Sequence, residues 1–199
     1  MRVLYMLLFA FTAKHSYSQE KQETWHYGEV RLTSGDRFIG LLTYNLKYDI
    51  VECKVRQGLR AYSAIQVEAF SFTDTAYHAH RKFYSLPFNI QPDYKRLMFF
   101  ESLVEGKLSL FAREEKVRVV PTVPESVFLP QDVQWKTVYD FYAADSLGNL
   151  YSLAEDPEQV LLHLMQDQMG TMMKYLKAKK PDFTERGDML GIFMYYNTL

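Results

Sequence analysis

Apolar and polar residues alternate along most of the stretch from Trp25 to Leu153, the two-residue period of half-buried β-strands. Val30 and Leu32 alternate with Glu29, Arg31 and Thr33, Ser34-Gly35-Asp36 supplies a reversal, and Phe38 to Tyr44 returns. Val51, Cys53 and Val55 alternate with Glu52, Lys54 and Arg56, and Gln57-Gly58 makes the next turn. Ala61 to Val67 includes a short helical turn, followed by a strand over Glu68 to Phe72. Tyr77 to Leu86 reads as a strand stopped by Pro87. Leu97 to Val104 and Lys107 to Arg113 form a hairpin over Glu105-Gly106, with a brief extension at Val117 to Val120. Pro121, Pro124 and Pro130 mark a surface loop, and Trp135 to Ala143 pairs with Leu150 to Leu153 across Leu147-Gly148-Asn149.

Past Leu153 the period becomes helical. Asp156-Pro157-Glu158-Gln159 carries a capping acid, a proline at the first helical position and a glutamine three residues after the cap. Val160, Leu161, Leu164 and Met165 give the first helix its apolar face. Asp167 is placed to cap a second helix with the stripe Met169, Met172, Met173 and Leu176, ended by lysines and Pro181. Asp182-Phe183-Thr184-Glu185 opens a third, with Met189, Leu190, Phe193 and Tyr196 on one side. Strands first and helices last indicate an α+β fold. The expectation is an antiparallel β domain over residues 19–153, a curved sheet or barrel-like, followed by a helical subdomain of two to three short helices over 154–199 docked on it.

The N-terminus changes the picture of where the chain resides. Met1-Arg2 precedes an apolar run of 11 residues, Val3 to Ala13, followed by the small residues of Ser16-Tyr17-Ser18. This order fits a secretory signal peptide over residues 1–18, cleaved before Gln19, and the run is short for a bilayer span. The expected location is secreted, periplasmic or at the cell surface, with no transmembrane helix after cleavage. Removing Arg2 and Lys14 from the 23 basic residues leaves 21 against 24 acids, a formal charge of −3. So balanced a chain has no global field for nucleic acid. The opening hairpin, Gly28 to Leu42, has the general order of SH3-like and Sm-like barrels, yet Arg31 and Arg37 are offset by Glu29 and Asp36. No nucleic-acid partner is expected. Cys53 is the one cysteine, so no internal disulfide forms, and its alternation with Val51 and Val55 marks it as a buried thiol rather than a nucleophile.

The segments GEVRLTSGDRFIG, YSAIQVEAFSF, RKFYSLPF, FFESLVEGKLSLFARE and the terminal YYNTL together resemble an uncharacterised family of secreted proteins from Bacteroidota-type bacteria. The resemblance covers most of the mature chain. It implies export, and it brings neither an activity nor catalytic residues.

Candidate chemistry is sparse. His78 and His80, two apart, would face one side of a strand and form half of a zinc or copper site, with His26, His163, Asp74 or Glu101 as possible further ligands. Solvated strand residues beside Arg81 and Lys82 are the simpler reading. Glu101 and Glu105 lie four apart, which on a strand is about 13 Å, wider than a glycosidase pair needs. There is no Gly-x-Ser-x-Gly or His-Glu-x-x-His motif. The aromatic residues around Tyr84, Phe99 and Tyr142 are either core or a platform for a glycan or protein partner. The methionine stripe is ambiguous in the same way. The sequence therefore indicates an exported, non-enzymatic envelope protein with a structural or partner-binding role and no cofactor. Its partner would be another envelope protein or a glycan.

Overall fold

The structure, a computed structural model, describes residues 24–56, 58–75, 78–91, 94–119 and 134–199. Ten strands come first: β1 (His26–Leu32), β2 (Arg37–Asn45), β3 (Ile50–Val55), β4 (Gly58–Ser63), β5 (Val67–Asp74), β6 (Ala79–Gln91), β7 (Tyr94–Val104), β8 (Ser109–Val119), β9 (Gln134–Ala144) and β10 (Leu150–Ser152). Helices α1 (Pro157–Leu164), α2 (Met169–Lys179) and α3 (Arg186–Tyr196) follow, with a short 3-10 turn, Gln166–Gln168, before α2. The signal segment, Gln57, Tyr77, Val120 and the three loop prolines lie outside the described residues.

All ten strands join one antiparallel sheet in the order β10-β9-β8-β7-β6-β5-β1-β2-β3-β4. Gly35, at φ +91°, permits the β1–β2 reversal. Register places Phe38, Val30, Phe70, Phe83, Glu101, Ala112 and Phe141 in a single row across seven strands, so all seven share one inner face. At one end of this face Val30, Leu42, Val51, Phe70, Phe72, Phe83 and Phe99 form an aromatic-rich core. At the other, Leu110, Ala112, Phe141 and Ala143 pack against Leu161, Met165, Met172, Met189, Ile192 and Phe193 of the helical part. Glu101 sits between the two apolar fields.

The sheet curls. Five strand spacings separate β2 from β8, about 24 Å in a flat sheet, yet the Tyr44 hydroxyl lies 2.6 Å from Glu114 of β8. Curling brings the β2–β3 turn to a fork where β7 leaves β8. The two strands pair only between Glu101 and Val104 on β7 and Leu110 and Ala112 on β8. Further along, the Phe99 N–H donates to Asp49 Oδ1 (2.9 Å), and its carbonyl accepts from Arg113 Nη1 (2.7 Å). Arg113 and Arg96 also bind the Asp49 carboxylate, both at 2.8 Å, so side chains replace the missing ladder bonds.

Several expectations need correction. The barrel-like alternative is not reached, because the sheet is open with β10 and β4 as its ends. Helices cover the inner face of β8 and β9, so that apolar surface is buried without closure. Residues 61–63 belong to β4 rather than to a helical turn, and only residues 64–66 form the reversal into β5. Pro87 does not end β6. Pairing to β5 stops at Tyr84, so at Pro87 the strand is paired with β7 alone, an edge position that tolerates proline. Asp156 does cap α1, accepting from the Gln159 N–H at 3.3 Å. Asp167 is not a cap: α2 begins at Met169 with no side-chain cap, and the segment opening the third helix precedes α3, which begins at Arg186.

Candidate functional site

The densest polar constellation lies where the two apolar fields meet. Arg81, on the inner face of β6 opposite Phe72, is 6% exposed. Its Nε donates to Glu101 Oε1 at 2.8 Å and its Nη2 to Glu101 Oε2 at 2.7 Å, a two-pronged pair. The same Nη2 reaches Glu114 Oε2 at 3.0 Å, Nη1 donates to the Tyr44 hydroxyl at 2.8 Å, and Asp74 Oδ2 stands 3.8 Å from Nη1. The Tyr44 hydroxyl in turn donates to Glu114 Oε1. Arg186, at the start of α3, donates to Glu101 Oε1 at 3.2 Å. The guanidinium of Arg81 also lies over the rings of Phe83, Tyr44 and Phe72 at 5.2, 5.7 and 5.8 Å.

Five strands and a helix thus converge on one guanidinium. Burial opposes the charge on Arg81, but the Glu101 pair outweighs burial and holds the group above its ordinary value. Burial, then the Glu114 charge, raises the Tyr44 phenol, which stays protonated as a donor. Nearby His26 stacks on Phe72 at 4.3 Å, and burial lowers its imidazole below the usual 6.5. Among the described residues no buried side-chain nitrogen or oxygen lacks a hydrogen-bond partner. The carboxylates here are committed to arginine and tyrosine. The constellation joins the sheet to α3 as a brace.

The residues singled out from sequence are dispersed. His78 lies in the turn before β6 at φ +50°, so strand alternation does not align it with His80, and both are exposed. No group of three His, Cys, Asp or Glu residues able to hold a metal occurs among the described residues. Phe99 is fully buried and Tyr142 is 8% exposed, which removes both from any partner platform. Phe99 stands edge-on to Phe70 at 5.0 Å in the inner core, and Tyr142 packs on Phe100 and Phe88 on the outer face. Tyr84 is half-buried at the rim of that outer cluster, its hydroxyl 3.0 Å from Glu105. Glu105 is exposed and bound to Lys82 and Ser102 as well, while Glu101 is buried with Arg81, so the two acids do not share a site. Cys53 is buried, and burial pushes its thiol up to about 11. The brace itself was missed. Its signal was parity: Arg81 shares the inward face with Phe83.

A second feature lies on the helical part. Asp156, Glu158, Gln159, Leu162, His163 and Met169 line an open bay of about 390 Å³. The methionine stripe divides here. Met165 and Met172 are fully buried against β8 and β9, whereas Met169 and Met173, one turn apart on α2, are 41% and 52% exposed. The lining of the bay therefore combines two apolar side chains, Leu162 and Met169, with two carboxylates, Asp156 and Glu158.

No helix among the described residues is long and apolar enough to cross a membrane. No protein-family model matches the chain, and no curated protein or solved structure matches it.

Proposed function

We propose that this is an exported, non-enzymatic protein of the cell envelope whose sheet is a scaffold and whose helical part binds a protein partner. The observation that carries this reading is the bay between α1 and α2. Leu162, Met169, Asp156 and Glu158 line it, and Met173, one turn along α2 from Met169, is also exposed. Methionine side chains adapt to irregular apolar shapes, a property used at binding surfaces. Carboxylates in the lining favour an apolar anchor flanked by Lys or Arg. The signal-like N-terminus supports export, and the brace supports a stiff scaffold rather than a reactive site.

The test is isolation of the exported protein, with a photo-crosslinker at Met173, from intact cells. The reading expects an amino terminus at Gln19 and one dominant cross-linked partner. Met169→Glu should abolish that cross-link without lowering the melting temperature. A chain that keeps its first residues inside the cell, or a cross-link indifferent to Met169→Glu, overturns the proposal. So does turnover of an envelope substrate lost on a single substitution.

A further inference from the structure

The strand order ends at β4, and among the described residues β4 pairs with β3 alone. Gly58, Leu59, Arg60 and Ala61 are all exposed, and no proline or bulge blunts this edge. The opposite end, β10, offers only three residues. An open strand edge carries unpaired N–H and C=O groups that template a further strand.

We propose that β4 pairs antiparallel with β4 of a second copy of this chain, about a two-fold axis through Ala61. The register follows from strand geometry and charge. With the axis normal to the sheet, facing residues must come from the same face, so the axis passes through a residue. Centring on Leu59 or Tyr62 pairs only a few strand residues. Centring on Arg60 sets two guanidiniums opposite each other. Centring on Ala61 pairs Leu59 with Ser63, Arg60 with Tyr62 and Ala61 with itself, and no like charges face directly.

The side chains already present suit that seam. Tyr62 stacks on Phe38 at 5.6 Å and Arg60 lies over the same ring at 5.9 Å, so each edge offers an aromatic face and a cation. Across the seam each Arg60 meets the other copy's tyrosine, a cation–aromatic pair made twice. On the outer face, Tyr27, Leu41, Lys54 and Leu59 form one cross-strand row. Tyr27, Leu41 and Leu59 are 67%, 42% and 58% exposed, and the Lys54 ammonium is folded over Trp25 at 4.1 Å. About the two-fold each row ends against the other copy's Ser63, so the exposed Leu59 is flanked by a second strand. None of the bay residues takes part, so this assembly stands or falls apart from the binding role proposed above.

Cysteine cross-linking of the full mature chain tests the register. In the dimer two Ala61 Cα atoms lie about 4.5–5.5 Å apart, within disulfide reach. Two Leu59 Cα atoms lie about 14 Å apart, beyond it. Native Cys53 is buried on the inner face and does not compete. The wild-type chain should show a concentration-dependent monomer–dimer equilibrium by sedimentation. Ala61→Cys should oxidise to a covalent dimer at least tenfold faster than Leu59→Cys. Ala61→Asp, which sets two carboxylates at the axis, should leave a monomer of unchanged melting temperature. A wild-type monomer at every concentration overturns the proposal, as do equal cross-linking rates for the two cysteine variants. A monomer that instead takes up a synthetic acidic strand peptide at β4 also overturns it.

Discussion

Arg81 holds three carboxylates, a phenol and, through Glu101, a second arginine in one arrangement. Removing one member of a buried ionic group strands the others without solvent or partner, which costs far more than the group's net contribution to folding. Arg81→Met keeps most of the stem's packing but takes the two-pronged partner from buried Glu101, leaving it Arg186 alone, and leaves Glu114 only the Tyr44 hydroxyl. It is expected to lower the unfolding free energy by about 3–5 kcal/mol in urea titration. A loss under about 1 kcal/mol would show that water enters and relieves the acids. This residue was the hardest to read from sequence. Arg81-Lys82 looks like a solvated pair, and only alternation separates them: Lys82 faces Tyr84 and solvent, Arg81 faces inward with Phe83. Composition says which residues prefer water, while the pleat decides which obtain it.

At the scale of elements, α3 is held to the sheet by its last residues. The Leu108 N–H donates to Asn197 Oδ1 at 3.0 Å, and Asn197 Nδ2 returns a bond to the Leu108 carbonyl at 2.9 Å. A Cβ on Gly106 would lie 2.5 Å from Asn197 Nδ2, so glycine in the β7–β8 turn leaves room for this clamp. Asn197→Ala removes both bonds and leaves the Leu108 amide and carbonyl without them. A loss of about 2 kcal/mol is expected in chemical denaturation, with Asn197→Asp intermediate because it keeps the acceptor. If both variants match the wild type, water substitutes for the side chain. The turn glycines and the Asp156 cap were readable because they are local. The clamp, 89 residues apart in sequence, was not. Asp167 shows why local signals fail. Its carboxylate accepts from Lys107 and the Tyr196 hydroxyl, so a tertiary use displaced the cap its position suggested.

Across the whole molecule, one sheet face serves two cores, and the helices are the second core's other half. The order of strands then helices, and the apolar stripes on each helix, made this docking legible. The curl that brings β2 against β8 was not, because it depends on Asp49 and Arg113 satisfying the β7–β8 fork from distant segments. The helical part also shapes the brace, since Arg186 reaches Glu101. Removing residues 183–199 therefore takes away three things at once: an apolar cover, one brace arginine and the Asn197 clamp. Met189, Ile192, Phe193 and Tyr196 are at most 3% exposed, and burying four such side chains is worth about 6–12 kcal/mol. That is comparable to the whole stability of a typical domain, about 5–15 kcal/mol. Truncation should thus abolish the cooperative melting transition and expose Leu110, Phe141, Met165 and Met172 to a hydrophobic dye. A truncated chain with the wild-type melting temperature and no dye binding would show that the β sheet buries its inner face alone. The helices would then be an appendage rather than the wall of a shared core.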